Sequence, residues 1–174
     1  MKLTIRFTAI ILLTVLATAC DPGYNEDMLI RNASSHSVTV IPAPYSWYDS
    51  GMDSTHTWTN ENYTLVPGQE VVIHHSGGIG AASFEEGVQA FLQYYSNSVT
   101  FRFDGELGPQ VMYYAGDTTG ISPYNFSSTL YQYEETRHYG RWFNGHPSYG
   151  KLTFTITDEH YQATEESNYL EVKN

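Results

Sequence analysis

The chain holds a single cysteine, Cys20, among 174 residues. No disulfide can close within it, so its core must be stabilised by packing rather than by covalent staples. Positive charge is almost as scarce. Eight Lys and Arg stand against nineteen Asp and Glu, and two of the eight, Lys2 and Arg6, fall in the first nineteen positions. The remainder has six basic residues and a formal charge of −13. That balance argues against nucleic acid as a partner, and against lying flat on an anionic leaflet, which requires Lys and Arg. Catalytic motifs are also missing. There is no Gly-x-Ser-x-Gly, and Gly77-Gly78-Ile79-Gly80 does not match a phosphate-binding glycine fingerprint. The adjacent acids Glu85-Glu86, Glu134-Glu135 and Glu165-Glu166 do not by themselves form the carboxylate pair across a cleft that glycoside hydrolysis needs.

Long apolar runs are absent apart from residues 7–16. About ten residues cannot cross a bilayer core that needs about 20, but they fit the h-region of an export signal behind Lys2 and Arg6. Ala17-Thr18-Ala19-Cys20 follows and resembles a bacterial lipobox, with Leu16 one place further from the cysteine than the strictest form prefers. Residues 1–19 read as a lipoprotein signal peptide and Cys20 as the acylated, palmitate-bearing first residue of the mature chain. Residues 20–27, interrupted by Pro22-Gly23, read as a tether, and 28–174 as one domain. The expected location is the cell envelope, lipid-anchored, with the outer membrane favoured and its periplasmic or surface face open.

Aromatics are plentiful, with fifteen tyrosines. Period-two runs predict strands at Ser98-Val99-Thr100-Phe101-Arg102-Phe103 and Lys151-Leu152-Thr153-Phe154-Thr155-Ile156, and a turn at Asp104-Gly105 leading to Gln110-Val111-Met112-Tyr113-Tyr114. Further strand-like runs occupy 28–32, 38–41, 63–66, 70–74 and 129–134, and Asn168 to Val172 reads as a last edge strand. Residues 45–62 show no regular period and read as one long loop. A single helix is predicted over 84–95. Ser83-Phe84-Glu85-Glu86 forms a capping box ahead of a stripe of Phe84, Val88, Phe91, Leu92 and Tyr95. Asp158 caps no more than a short helical turn through His160 and Tyr161. Seven to nine short strands and one short helix predict a mainly β chain, an antiparallel, immunoglobulin-like β-sandwich.

Together with the lipobox, the stretches Ile30-Arg31-Asn32, Tyr63-Thr64-Leu65-Val66-Pro67-Gly68-Gln69-Glu70, Ser98-Val99-Thr100-Phe101-Arg102-Phe103-Asp104-Gly105, Ser122-Pro123-Tyr124-Asn125 and Thr155-Ile156-Thr157-Asp158-Glu159-His160-Tyr161 resemble small lipoproteins of the Bacteroidetes type, whose activity is not established. The resemblance covers most of the mature chain. It implies a compact β-sandwich at the envelope, and it carries no catalytic residue because the matching motifs are turns and strand cores.

The candidate ligand-binding residues are Trp47, Tyr48, Trp58, Tyr139, Arg141 and Trp142. Rings beside Asn, Asp and Arg suit a sugar-binding platform, since pyranose C–H faces stack on aromatics while hydroxyls need polar partners. The bland alternative is that the rings merely cap the ends of the sandwich. His74-His75 cannot chelate one ion from a strand, where neighbours point to opposite faces. No metal and no cofactor is expected. Asp53-Ser54-Thr55 and Asp117-Thr118-Thr119 resemble acceptor sites for O-glycosylation at Ser54 and Thr118. The leading expectation is a non-catalytic envelope lipoprotein that binds a glycan or a protein. The alternatives are an accessory subunit of an envelope complex and, less favoured, a glycoside hydrolase.

Overall fold

A computed structural model describes residues 23–79, 82–136 and 148–171, with side chains described throughout those ranges except at 47–49, 79 and 165–171. Cys20, the signal segment, and Tyr139, Arg141 and Trp142 lie outside the described residues. Among the described residues ten strands and two helices form a mainly β fold. The strands are β1 (Gly23–Asn32), β2 (Val38–Pro42), β3 (Tyr45–Asp49), β4 (Ser54–Trp58), β5 (Tyr63–Leu65), β6 (Glu70–Ile79), β7 (Ser98–Phe103), β8 (Gln110–Tyr114), β9 (Tyr131–Thr136) and β10 (Ser148–Ile156). The helices are α1 (Phe84–Tyr95) and α2 (Asp158–Glu171).

Two four-stranded sheets, ordered β6-β1-β10-β9 and β5-β2-β7-β8, make the sandwich, and β3 and β4 form a separate two-stranded ribbon. Strand alternation supplies the core directly. Val99, Phe101 and Phe103 of β7, Val38 and Val40 of β2, Met28 and Ile30 of β1, and Leu152, Phe154 and Ile156 of β10 are all fully buried. Phe101 and Phe154 meet across the layers with ring centroids 6.1 Å apart. Each such side chain contributes about 1.5–3 kcal/mol relative to exposure.

One central pairing in this predominantly antiparallel fold is parallel. β1 runs parallel to β10 from Tyr24↔Ser148 to Asn32↔Ile156. The chain also enters the sheet earlier than expected, because β1 begins at Gly23, so residues 23–27, read as part of the tether, are strand. Residues 45–62 are not one loop. β3 and β4 pair from Tyr45↔Trp58 to Asp49↔Ser54, and a cross-strand Ser46 Oγ–Thr57 Oγ1 contact of 2.9 Å supports the ribbon. Polar hydroxyls on an exposed ribbon leave no hydrophobic period to read.

Helix α1 spans the expected residues, and Ser83 Oγ accepts from the Glu86 amide at 3.2 Å. Its buried face is rotated from the expected stripe. Gly87, Ala90, Phe91, Tyr94 and Tyr95 are buried, while Phe84, Val88 and Leu92 are only partly so. Gly87 explains the close approach, since a Cβ there would lie 2.6 Å from Leu152 Cδ2.

The end of the chain is a second correction. Residues 158–171 are helix α2, not a short turn followed by an edge strand. Its inward residues include His160 and Thr164, both fully buried, so its packing face has little hydrophobic signature. Asp158 accepts from the Ser35 amide at 2.7 Å and from Ser35 Oγ at 3.0 Å, and these bonds lower its pKa. Tyr161 stacks on His36 at 3.6 Å and 3°. No helix of the described residues is long and apolar enough to cross a membrane.

Candidate functional site

The β3–β4 ribbon leans its open end toward the C-terminal end of α1, and a groove of about 670 Å³ lies between them. Tyr45 and Trp58, opposite one another in the register, form its aromatic side and remain 48% and 62% exposed. Directly opposed residues of an antiparallel pair share a face, with Cβ atoms about 4.5–5.5 Å apart. Asn60, Gln93, Ser96 and Asn97 supply the polar lining.

Trp58 is exposed but not loose. Its Nε1–H donates to Asn60 Oδ1 at 3.1 Å. The Asn60 amide nitrogen in turn donates to the carbonyls of Gln93 at 3.2 Å and Tyr94 at 2.9 Å. These carbonyls belong to the last turn of α1, where helix ends leave C=O groups without intrahelical partners. Tyr94 Oη donates to the Glu61 carbonyl at 3.0 Å, so residues 60–61 are clamped to the helix from both sides. α1 ends at Ser96, whose φ of 56° turns the chain away while its amide bonds Leu92 O. Ser96 Oγ is buried and finds no hydrogen-bond partner among the described residues.

A second unusual place lies at the other end of α1. Glu26 alternates along β1 with Met28 and Ile30 and is fully buried, with neither carboxyl oxygen hydrogen-bonded among the described residues. Two glycines make room for it. A Cβ on Gly87 would lie 3.2 Å from Glu26 Oε1, and one on Gly150 would lie 3.3 Å from Glu26 Cγ. Removal from water, followed by the charge of Glu86, pushes the Glu26 carboxyl up to about 7. Tyr24 hydrogen-bonds the same Glu86 and has its own pKa raised by it. Glu86, expected only to close the capping box, therefore also faces this recess.

On the opposite face of the same sheet, Asp27 joins β6 and β10. Its Oδ1 meets His75 Nδ1 at 2.5 Å, and its Oδ2 accepts from Tyr149 Oη, a bond that raises the tyrosine to about 12. No group of three or more His, Cys, Asp or Glu able to hold a metal ion occurs among the described residues. No protein-family model and no curated protein matches the chain.

Of the residues singled out by sequence, Trp58 lies in the groove. Trp47 and Tyr48 belong to β3 by backbone, opposite His56 and Thr55, and their side chains lie outside the described residues. Ser54 opens β4 with Oγ 3.0 Å from His56 Nε2, whereas Thr118 sits in an exposed turn whose amide bonds Gly116 O. Asn60 and Gln93 were not anticipated. Asn60 has one sequence signal, its position two residues beyond an exposed Trp. Gln93 has none, because its role comes from the approach of α1. Glu26 was legible in principle, as an acid in the period-two row of Met28 and Ile30.

Proposed function

We propose that this chain is a non-catalytic binding module of the cell envelope, anchored through lipid on Cys20, which holds its ligand in the Trp58 groove. The carrying observation is that Trp58 is exposed yet fixed through Asn60 to α1. A protein that leaves a large ring in water gains nothing from its burial. One that also fixes the ring has prepaid part of the ordering cost of a ligand. The lipobox and the −13 charge support the anchor, since lipid rather than charge must then hold the protein at a membrane.

The accessory-subunit reading draws on a different surface. Met112 and Tyr114, 47% and 57% exposed, alternate with buried Tyr113 and so share the outer face of β8. The two readings separate in one experiment. The natively processed chain, extracted in detergent, is titrated with a panel of oligosaccharides and peptides alongside Trp58→Ala and Met112→Ser/Tyr114→Ser. The groove reading expects affinity to fall only in the Trp58 variant. Loss confined to the β8 variant would replace it with the accessory reading.

A further inference from the structure

Resting on the groove reading above, we infer that its ligand is an uncharged, pyranose-containing oligosaccharide. Among the described residues, none of those lining the groove carries a formal charge. The side-chain amides of Gln93 and Asn97 line the groove beside the Tyr45–Trp58 pair, and an amide offers both donors and acceptors. Sugar hydroxyls are also both donor and acceptor, whereas a phosphate, sulfate or carboxylate offers acceptors only and requires a cation or a cluster of N–H groups.

Charge beyond the lining points the same way. Glu61 follows Asn60, and Asp117 lies two residues beyond Ala115 at the groove's far wall. With the formal −11 of the chain behind them, an anionic ligand would approach against the field of the whole chain. A cationic ligand would find attraction at long range, but among the described residues no carboxylate lines the groove to replace its water.

The rings complete the match. The Trp58 N–H is occupied by Asn60. The indole therefore presents its apolar face, suited to the C–H face of a pyranose, rather than a polar edge. The Tyr45 ring on the same side of the ribbon extends this platform. A groove of about 670 Å³ is within the usual range for small-molecule sites, roughly 300–1,000 Å³, and leaves room for more than one sugar ring.

The test uses the natively processed protein in a detergent without a sugar headgroup. Immobilised neutral gluco-, manno- and xylo-oligosaccharides are compared with their uronate and sulfated counterparts and with acidic and basic peptides. At least one neutral series should bind, with affinity falling about tenfold or more in Trp58→Ala and several-fold in Gln93→Ala. Melting temperatures should stay within about 3 °C, because both side chains are exposed. The charged counterparts should bind more weakly. Trp58-dependent binding of only a charged glycan or a peptide would overturn the neutral-sugar assignment while leaving the groove as the ligand site. Absence of any Trp58-dependent binding would overturn both.

Discussion

Trp58 donates its indole N–H to Asn60 Oδ1 at 3.1 Å, and through that amide the exposed ring is tied to the carbonyls ending α1. Ring position and helix terminus are thus one unit. Asn60→Ala should free the ring without removing it and leave two helix carbonyls to water. The expected result is a several-fold loss of ligand affinity and a stability loss of about 1 kcal/mol. Faster rotational motion of Trp58 in fluorescence anisotropy decay would distinguish this positioning role from a direct contact. An unchanged decay would remove it.

Glu26 and His160 should tilt stability with pH in opposite directions. The Glu26 carboxyl, ordinarily near 4.5, is raised to about 7, so the folded state resists its ionisation. Its favourable share is present below about 4.5 and is lost as pH climbs toward 7, by on the order of 2–3 kcal/mol. Glu26→Gln, which keeps the shape but cannot ionise, should be more stable than the parent at pH 8 and similar at pH 4 in urea denaturation. A parent and variant differing equally at both values would contradict the buried-carboxylate cause.

His160 provides the other slope. Packed against Phe101, Tyr113 and Phe154, it is lowered by desolvation from 6.5 to about 4. Its Nδ1 accepts from the Thr157 amide at 3.1 Å, which sets the neutral tautomer with Nε2–H donating to Ile121 O at 3.0 Å. Protonation removes that acceptor, so stability falls as pH drops from 6.5 toward 4, by about 3 kcal/mol. Between these values the two residues oppose each other. In Glu26→Gln the stability should rise more steeply with pH across that window, and NMR titration of His160 should give no protonation above about pH 5.

Gly87→Ala is expected to destabilise even though Ala is the better helix former by about 1 kcal/mol. The new methyl would lie 2.6 Å from Leu152 Cδ2 and 3.1 Å from Leu152 Cβ, on a fully buried side chain with little room to move. A net loss of about 1–3 kcal/mol is the usual consequence of such overpacking. A rise in melting temperature would mean that the interface of α1 with β10 is looser than these distances imply.

The readable part of the fold is the part in which hydrophobicity alternates. β7 and β10 follow from Val99, Phe101, Phe103 and Leu152, Phe154, Ile156, and α1 from its Ser83 cap. Where polar groups fill structural positions the signal fails. β3–β4 is a ribbon of hydroxyls and rings outside the sandwich, and α2 turns His160 and Thr164 inward. The most buried line of α1 is rotated from its apolar stripe for a related reason: Gly87 and Ala90 pack closely because they are small, and small residues carry little hydrophobic signal. The site was legible only as an aromatic preference. Trp58 stood out by residue type, but its fixing by Asn60 depends on a helix some thirty residues away in the chain.

The most direct measurement is the set of indole N–H resonances of the three tryptophans, assigned through Trp58→Phe and followed during titration with neutral oligosaccharides. The expected result is a saturable shift of the Trp58 indole accompanied by the side-chain amides of Asn60 and Gln93, with the shift absent in Trp58→Phe. A ligand that binds and saturates while the Trp58 and Asn60 signals stay in place would contradict the groove as the binding site.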